Sequence, residues 1–425
     1  MNNIIKKITN NKAVVGVVGL GYVGLPLVKA FIESNIKVIG FDIDKKKIEL
    51  LKKKKSYIKH IDFNFLTNKK NFEFTSDFKK INKVDVMVFC LPTPLNKKNN
   101  PDLSFISNTM NSIQPYLRVD QCISLESTTY PGTTRELIVP YLINRFNIGK
   151  NFFLIYSPER VDPGRSDILL KNIPKVVGGY SDNCLKIGCK IYSKIFKNLV
   201  PVKSIEIAEF TKILENVFRA VNISLINELK VFSNKININI NDVIKASSTK
   251  PFGYMPFYPG PGIGGHCIPI DPIYLSYAAK KHGLKMSLID NSFKINFETT
   301  KKISDVILKK LNKKIPKILV VGIAYKKNID DVRESPALKI IKDLKVKNAI
   351  VNFHDPFVNV LPKNRNYYIE MKSVKLNKAN LKQYDGVLIC TDHDDINYDI
   401  IYKYSSVIFD SRNRYNFESH KIIRV

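Results

Sequence analysis

The sequence predicts an α/β protein in which two Rossmann-like, doubly wound parallel-sheet domains are joined by a long central helix. The first observation is a strand, a glycine turn, a helix and a second strand in succession near the start of the chain. The second is a repeat of this alternation from residue 317 onward. The third is the stretch 205–235, which contains neither proline nor glycine. Alternating strands and helices build parallel sheets, and the uninterrupted stretch favours a single helix.

The N-terminal domain is predicted to span residues 1–203. It begins with an apolar strand over 13–18, a helix over 24–34 and a strand over 37–41. Parallel strands need a crossover such as this helix. Further apolar runs, separated by helix-length segments, predict more strands of the same sheet at 84–91, 122–125, 152–156 and 175–178.

The central domain is predicted to span residues 204–312 and to begin with the helix 205–235, whose apolar residues recur at helical spacing. The uncharged stretch 251–270 resembles a membrane span in length only. Five of its twenty residues are proline and five are glycine, so we predict a loop. A largely helical stretch over 272–311 follows.

The C-terminal domain is predicted to span residues 313–425. Its elements repeat the βαβ alternation of the first domain, with a strand expected at 317–321, a helix at 335–344 and a strand at 349–354. Further apolar runs follow at 386–390 and 406–409. This second occurrence of the βαβ pattern is the basis for predicting a second Rossmann-like domain.

The net charge of +30 would suit a protein that binds nucleic acid or an anionic membrane, but the distribution of the charge does not. Only eleven of the 68 basic residues are arginine, the better phosphate ligand, and the lysines are spread over the whole chain. We therefore expect no nucleic-acid and no membrane partner. A hydrophobic content of 44% allows sizeable cores, which excludes a disordered or fibrous protein.

The six cysteines show no CxxC pair and no metal-ligand spacing, so we expect neither a disulfide framework nor a metal site. The first nine residues interrupt their apolar positions with two lysines and so lack the apolar core of a signal peptide. Together these features predict a protein of the reducing cytoplasm.

The turn after the first strand carries Gly19, Gly21 and Gly24 in the spacing of a dinucleotide-binding loop. These glycines permit a tight turn and the close approach of a pyrophosphate to a helix N-terminus. Asp42 ends the second strand, where a carboxylate binds ribose hydroxyls and disfavours a 2′-phosphate. The sequence therefore predicts NAD rather than NADP, with Lys47 a candidate contact on the adenosine side.

A candidate nucleophile lies in the loop. Cys267 ends the glycine-rich segment 260–267, where no packing argument requires a core cysteine. Glycines let the backbone approach a ligand and His266 is adjacent, so we predict a reactive thiol.

Polar residues also gather on the long helix and at strand ends. Lys212, Asn216 and Arg219 share one helix face, which is either a solvated stripe or a set of donors aimed at a substrate oxygen. The carboxyl ends of predicted strands, where open α/β sheets bind ligands, carry Thr93, Glu126, Thr128, Glu159 and Arg160.

Six ordered segments, distributed over essentially the whole chain, resemble the nucleotide-sugar dehydrogenase family, whose members oxidise UDP-glucose, UDP-N-acetylhexosamines or GDP-mannose to uronic acids. They are GVVGLGYVGLP, STTYPGTT, SPERVDPG, AEFTKILENVFRAVNISLINEL, GPGIGGHCIPIDP and GIAYKKNIDDVRESPAL. The resemblance implies an NAD-binding N-terminal domain, a central helix at the core of a homodimer, and a C-terminal domain that holds UDP.

The resemblance also implies a reaction of two successive hydride transfers, which convert the C6 alcohol of the sugar to an aldehyde and then to a carboxylate. Cys267 would add to the aldehyde as a thiohemiacetal, and water would hydrolyse the resulting thioester. Lys212 and Asn216 match the pair that stabilises the C6 oxygen. The positions that hold or activate the catalytic water match Asp271, Thr128 and Glu159.

Binding residues are implied in the same way. Cofactor contacts would come from Gly19, Gly21, Tyr22, Val23, Gly24, Asp42, Lys47, Thr93, Thr128 and Arg333. Substrate contacts would come from Arg160, Val161, Lys212, Asn216, Arg219, Gly260 and Lys326.

Two positions depart from the glucose-type pattern, which has a lysine where this chain has Ile270 and a glutamate where it has Pro163. Both resemble the N-acetylhexosamine branch, and the segment CIPIDPIYL favours UDP-N-acetylglucosamine over UDP-N-acetylmannosamine. UDP-N-acetylmannosamine and UDP-glucose stay open as substrates. A hydroxyacid-type dehydrogenase, which also combines a GxGxxG domain with a long helix carrying lysine and asparagine, is a more remote alternative.

Overall fold

A computed structural model describes residues 1–55, 57–58, 64–66, 71–161, 169–265, 267–362 and 370–425. These residues form two compact units. One unit consists of 1–215 and 273–283, and the other consists of 216–272 and 284–425. The three-domain division stays a prediction. His266 and Pro163 lie outside the described residues.

The strands are β1 Val14–Val18, β2 Lys37–Phe41, β3 Phe72–Thr75, β4 Val86–Phe89, β5 Gln121–Leu125, β6 Phe152–Tyr156, β7 Lys175–Gly179, β8 Leu199–Val202, β9 Lys317–Val321, β10 Ile350–His354, β11 Gly386–Ile389, β12 Ile408–Asp410 and β13 Ile422–Arg424. The helices are α1 Asn2–Thr9, α2 Gly24–Glu33, α3 Lys45–Lys52, α4 Ser104–Ile113, α5 Thr133–Leu142, α6 Asp182–Tyr192, α7 Ile205–Lys235, α8 Ile240–Ser247, α9 Asp271–Lys281, α10 Ser287–Leu311, α11 Pro336–Val346, α12 Lys378–Leu381 and α13 Tyr398–Tyr404. Short 3₁₀ helices cover Asn64–Leu66, Phe78–Lys83, Gln114–Tyr116 and Leu170–Asn172.

The first unit is built on one sheet with the strand order β3-β2-β1-β4-β5-β6-β7-β8. Apolar residues of α1, α2, α3 and α6 pack on one face, and those of α4, α5 and the first turns of α7 pack on the other. Because both faces are covered, every residue of β5, β6 and β7 is buried. The predicted doubly wound α/β architecture is thus confirmed.

Two strands of this sheet, β7 and β8, run opposite to the other six, whereas the predicted sheet was parallel. β7 pairs antiparallel with β6 and parallel with β8, and all other neighbouring pairs are parallel. The sequence could not show this, because the run Lys175–Gly179 is buried on both faces and its apolar pattern is the same in either direction. The reversal brings the first residue of β7 to the edge where β5 and β6 end.

The second unit contains a smaller parallel sheet in the order β10-β9-β11-β12-β13. Helices α10 and α11 pack on one face, and α12 and α13 pack on the other. This sheet confirms the predicted second Rossmann-like layer.

The long helix α7 has the predicted bounds, and the predicted strands lie within about two residues of the observed ones. The sequence did not predict α1, α3, α8, β3, β8 or β13. The described residues of 251–270 contain no helix and no strand. Within the described part of the chain, no helix is both long and apolar enough to span a membrane.

Candidate active site

The glycine turn between β1 and α2 has the geometry of a phosphate cradle. Gly19 has a φ of +94°, and a Cβ there would lie 2.4 Å from the Cys90 carbonyl oxygen. A Cβ on Gly24 would lie 1.9 Å from the Gly19 oxygen, whereas Gly21 faces open space. The first glycine thus makes the turn, the third allows the helix to pack closely, and the second leaves room for a pyrophosphate. The turn lies where the strand order reverses, between β1 and β4.

Asp42 lies at the end of β2 and holds this turn in place. Its carboxylate is 7% exposed, and it accepts hydrogen bonds from the backbone N–H groups of Leu20 at 3.0 Å and Asp44 at 2.9 Å. The Lys47 ammonium lies 3.4 Å from the same carboxylate. The two predicted cofactor residues Asp42 and Lys47 are therefore brought together. A buried carboxylate here fits ribose hydroxyls and opposes a 2′-phosphate.

Three further predicted cofactor residues of this unit, Tyr22, Val23 and Thr93, lie in the loops that follow β1 and β4. Tyr22 and Val23 lead into α2, and Tyr22 is 39% exposed. Thr93 follows β4 and is buried, and its carbonyl oxygen accepts a hydrogen bond from the Tyr274 hydroxyl at 3.0 Å. The fold thus places them at the carboxyl edge of the sheet.

The loop that carries Thr128 is fastened to α7 by Glu209, a residue that the sequence analysis did not single out. The Glu209 carboxylate accepts hydrogen bonds from Gly132 N at 2.6 Å, Thr134 N at 2.8 Å and Thr134 Oγ1 at 2.6 Å. Burial raises its pKa to about 7, although these hydrogen bonds favour the charged form. Lys212, 8% exposed, follows one turn later on α7.

Glu159 has two different oxygens. Oε1 accepts hydrogen bonds from the backbone N–H groups of Arg160 at 2.8 Å and Val161 at 2.6 Å. Oε2 is buried and has no hydrogen-bond partner among the described residues. The Arg160 guanidinium pairs with Glu215 of α7 at 2.7 Å. Glu159 thus keeps one acceptor oxygen for a further ligand.

The second unit joins four of the predicted residues in one chain of contacts. Asn216 Nδ2 donates a hydrogen bond to Asp271 Oδ2, and Arg219 Nη2 donates to Asn216 Oδ1 at 2.5 Å. The Asp271 N–H in turn donates to the Cys267 carbonyl oxygen at 2.8 Å. Asn216 and Asp271 are both buried. The asparagine is thereby fixed between a carboxylate and a guanidinium, and the carboxylate is tied to the cysteine turn.

The glycine-rich loop packs directly on the C-terminal sheet's loops. A Cβ on Gly265 would lie 2.9 Å from the Tyr325 ring, and the Gly265 N–H donates to the Arg333 carbonyl oxygen at 3.0 Å. Arg333 itself pairs with Asp331 through two nitrogens. Gly260 N–H donates to Asn227 Oδ1 at 3.0 Å. Both positions require glycine, because a side chain at Gly265 would collide with Tyr325 and one at Gly260 would lie 2.8 Å from the Arg412 guanidinium.

Lys326 lies in the loop after β9, where the order of the second sheet reverses. This loop is ordered by His393, whose Nδ1 accepts a hydrogen bond from Asn328 N at 2.9 Å. The His393 Nε2 lies 3.1 Å from Asp355, at the end of β10. Asp355 also accepts a hydrogen bond from Ile323 N, after β9, at 2.7 Å, as Asp42 accepts one from Leu20 N, after β1.

The sequence matches all three domains of one family. The UDP-glucose/GDP-mannose dehydrogenase family, NAD binding domain, matches residues 13–196, its central domain matches 206–298, and its UDP binding domain matches 319–417. The chain belongs to the UDP-glucose/GDP-mannose dehydrogenase family. It is therefore an NAD-dependent oxidoreductase with a UDP-binding domain, which sets the hydroxyacid-type alternative aside.

Relatives support this membership over nearly the full chain. Protein CapL of Staphylococcus aureus is 35% identical over 389 residues, 90% of each chain. UDP-N-acetyl-D-glucosamine 6-dehydrogenase of Salmonella typhi is 30% identical over 393 residues, 89% of each. The structure of the UDP-D-ManNAc dehydrogenase from Pyrococcus horikoshii has a TM-score of 0.85 at 28% identity, covering 96% of this chain and 98% of that one.

Proposed function

We propose that this protein oxidises the C6 hydroxymethyl group of UDP-N-acetylglucosamine to a carboxylate, as a step of surface polysaccharide biosynthesis. The observation that carries the proposal is the contact chain from Cys267 through Asp271 and Asn216 to Arg219. It supplies a thiol, an amide donor and a fixed carboxylate within one unit. A simple alcohol dehydrogenase needs no such thiol.

The cofactor site fits NAD by its own geometry. The open face of Gly21 leaves room for a pyrophosphate at the start of α2, and Asp42 would take the ribose hydroxyls. When bound, NAD accepts the hydride that leaves C6, and two NAD are reduced for each sugar oxidised.

The protein's own residues would carry the rest of the chemistry. Lys212 would take the hydroxyl proton as the first hydride leaves C6, and the Cys267 thiolate would then bond to the aldehyde carbon. The resulting alkoxide, held by Lys212 and Asn216, expels the second hydride and becomes a thioester carbonyl. Water directed by Glu159 or Asp271 adds to that carbonyl, and the C–S bond breaks. The balance is one alcohol, two NAD and one water converted to one carboxylate, two NADH and three protons.

The choice of sugar rests on the cysteine segment. Ile270 stands where the glucose-type pattern has a lysine, and this is why we propose an N-acetylhexosamine. The Salmonella typhi relative bears the glucosamine name, whereas the Pyrococcus horikoshii structure bears the mannosamine name. UDP-N-acetylmannosamine is therefore the second candidate.

A substrate panel tests the proposal. NADH formation is measured with UDP-N-acetylglucosamine, UDP-N-acetylmannosamine and UDP-glucose at equal concentrations. We expect the highest kcat/KM with UDP-N-acetylglucosamine, no completed turnover in Cys267→Ala, and an unchanged rate in the control Cys189→Ala, which alters a half-buried thiol of α6. A preference for either other sugar would refute the substrate assignment.

We also propose that the chain forms a homodimer through α7. Exposed apolar residues recur at steps of three, four or seven along one face of this helix, and they are between 40 and 62% exposed: Ile207, Phe210, Leu214, Phe218, Leu225, Leu229 and Phe232. Such a stripe on a helix of about 46 Å is costly to leave in water. Sedimentation equilibrium should give twice the chain mass, and Leu225→Glu should lower it to the chain mass. A wild-type monomer at micromolar concentration would contradict this.

The proposed location is the cytoplasm. A reducing compartment keeps the Cys267 thiol available for attack on the aldehyde, whereas an oxidising one favours its loss to disulfides.

A further inference from the structure

The antiparallel strand β7 delivers a buried lysine to the edge where β5 and β6 end. Lys175, the first residue of β7, is 2% exposed. Its ammonium nitrogen lies 2.7 Å from Glu126 Oε2, 3.2 Å from the Pro158 carbonyl oxygen and 3.5 Å from Glu159 Oε2. Lys175 therefore stands between two carboxylates, one on each of the loops that follow the neighbouring strands.

Both carboxylate oxygens of Glu126 have a partner. Its Oε1 accepts a hydrogen bond from the Tyr192 hydroxyl at 2.5 Å, and that hydroxyl lies 2.7 Å from Ser124 Oγ. The rings of Tyr192 and Phe196 flank the ammonium, with centroids 5.1 and 5.2 Å from it. Glu126 is thus committed to holding Lys175, and the cage leaves the lysine little freedom to move.

Glu159 differs from Glu126 in the hydrogen bonding of its second oxygen. Its Oε2 lies at ion-pair distance from Lys175 and forms no hydrogen bond to any described residue. The lysine also anchors the backbone one residue earlier, through the Pro158 carbonyl oxygen. Lys175 thus fixes the position of Glu159 and supplies the positive charge that Glu159 faces. Oε2 of Glu159 stays available as an acceptor for water.

Without the cation, the buried carboxylate of Glu126 and the largely buried carboxylate of Glu159 would repel each other. Burial by itself lowers the pKa of Lys175, but Glu126 and Glu159 outweigh that effect and raise it, so the cation persists at neutral pH. Removing one partner of a buried pair is costly because it leaves the other charge uncompensated.

We propose that Lys175 is a positioning residue for the hydrolytic step, and that it holds Glu159 with one carboxylate oxygen available to accept a proton from the attacking water. The proposal rests on the proposed function. In that step Glu159 takes a proton from water as the water oxygen bonds to the thioester carbon. The C–S bond then breaks, and the Cys267 thiolate leaves. Glu126 and Tyr192 act by holding the lysine.

Three variants and one control test this role. Lys175→Met removes the cation, Lys175→Arg keeps it, and Lys175→Met/Glu126→Gln removes the cation together with the carboxylate it neutralises. The control is Lys171→Met, the same substitution at an exposed position of the same segment. The measurements are the melting temperature, the NADH burst and steady-state rate with UDP-N-acetylglucosamine, and the intact mass of acid-quenched protein.

We expect Lys175→Met to melt lower, to release a burst of two NADH per site, and then to turn over roughly 10²-fold more slowly, with a sugar acyl group retained on the protein. The double variant should regain its melting temperature but keep the slow hydrolysis and the adduct. Lys175→Arg should recover much of the rate, and Lys171→Met all of it.

A double variant that hydrolyses at the wild-type rate would overturn the proposal, because Lys175 would then serve only to neutralise Glu126. Wild-type hydrolysis by Lys175→Met would overturn it too. If instead the wild-type protein oxidises no UDP-sugar, the proposed function itself fails, and that result is separable from either of the others.

Discussion

The carboxylate of Glu209 should make the stability of this protein depend on pH through one identifiable group. Its pKa is raised by burial from 4.5 to about 7 in the folded chain. Between these values the folded protein holds a proton that the unfolded chain has lost. The stability that this proton contributes is therefore complete below pH 4.5 and is lost as the pH rises through 7.

The size of this change in stability follows from the difference between the folded and unfolded pKa values of Glu209. At about 1.4 kcal/mol per pH unit, the contribution lost between pH 5 and pH 8 is roughly 2 to 3 kcal/mol. Glu209→Gln abolishes the titration. It also leaves one donor among Gly132 N, Thr134 N and Thr134 Oγ1 facing an amide NH₂, a cost of about 1–3 kcal/mol that does not change with pH.

The assay is the melting temperature of both proteins at pH 5, 6, 7 and 8. The deficit of Glu209→Gln should be largest at pH 5 and should shrink by roughly 5–10 °C by pH 8, taking about 2–4 °C per kcal/mol for a unit of this size. The control is Asp182→Asn, which removes an exposed carboxylate at the start of α6. A Glu209→Gln deficit that is constant across the four pH values would show that Glu209 does not titrate with a raised pKa in the folded protein.

Three further predictions concern the cofactor and substrate sites. Gly24→Ala should abolish NAD binding measured by fluorescence titration, since its Cβ would lie 1.9 Å from the Gly19 oxygen; retained affinity would contradict the close packing. Asp42→Asn should raise the KM for NAD and lower the preference for NAD over NADP in paired assays, and an unchanged ratio would oppose the ribose role. Asn216→Ala, which removes the donor to Asp271, should lower kcat about 10²–10³-fold with little change in KM, whereas a loss confined to KM would assign it to ground-state binding.

The sequence predicts those parts of the fold that have a regular period. The helix over 205–235 is periodic and lacks proline and glycine, so both its existence and its bounds could be predicted. The strands of the two sheets are apolar runs between turns, which is why most were found. Short elements such as α1 and β13 carry too few residues for such a pattern.

The direction of β7 and its consequence could not be predicted. A strand buried on both faces has no alternation to mark its orientation, and Lys175 is one more lysine in a chain with 68 basic residues. Its position at the start of an apolar run was the available signal, because a lysine there must be paired if it is buried. Glu209 was missed for a related reason, since its partners lie about 75 residues away in the sequence.

In the candidate site, too, local sequence predicts some features and does not predict others. The glycine turn, Asp42 and the spacing on α7 follow from local sequence, and the structure brings Lys47 to Asp42 and Asp271 to Asn216. The pairing of Arg333 with Asp331, and of Arg160 with Glu215, depends on side-chain contacts that spacing does not encode. The roles of all these residues in binding and catalysis stay predictions.

The stoichiometry of the reaction of the intact enzyme tests whether one protein carries out both oxidations of the sugar. With limiting UDP-N-acetylglucosamine and excess NAD, NADH is measured by absorbance and the uronic acid product by mass spectrometry. We predict two NADH and one carboxylate for each sugar nucleotide consumed, with no aldehyde released. One NADH per sugar nucleotide, with the aldehyde set free, would contradict it.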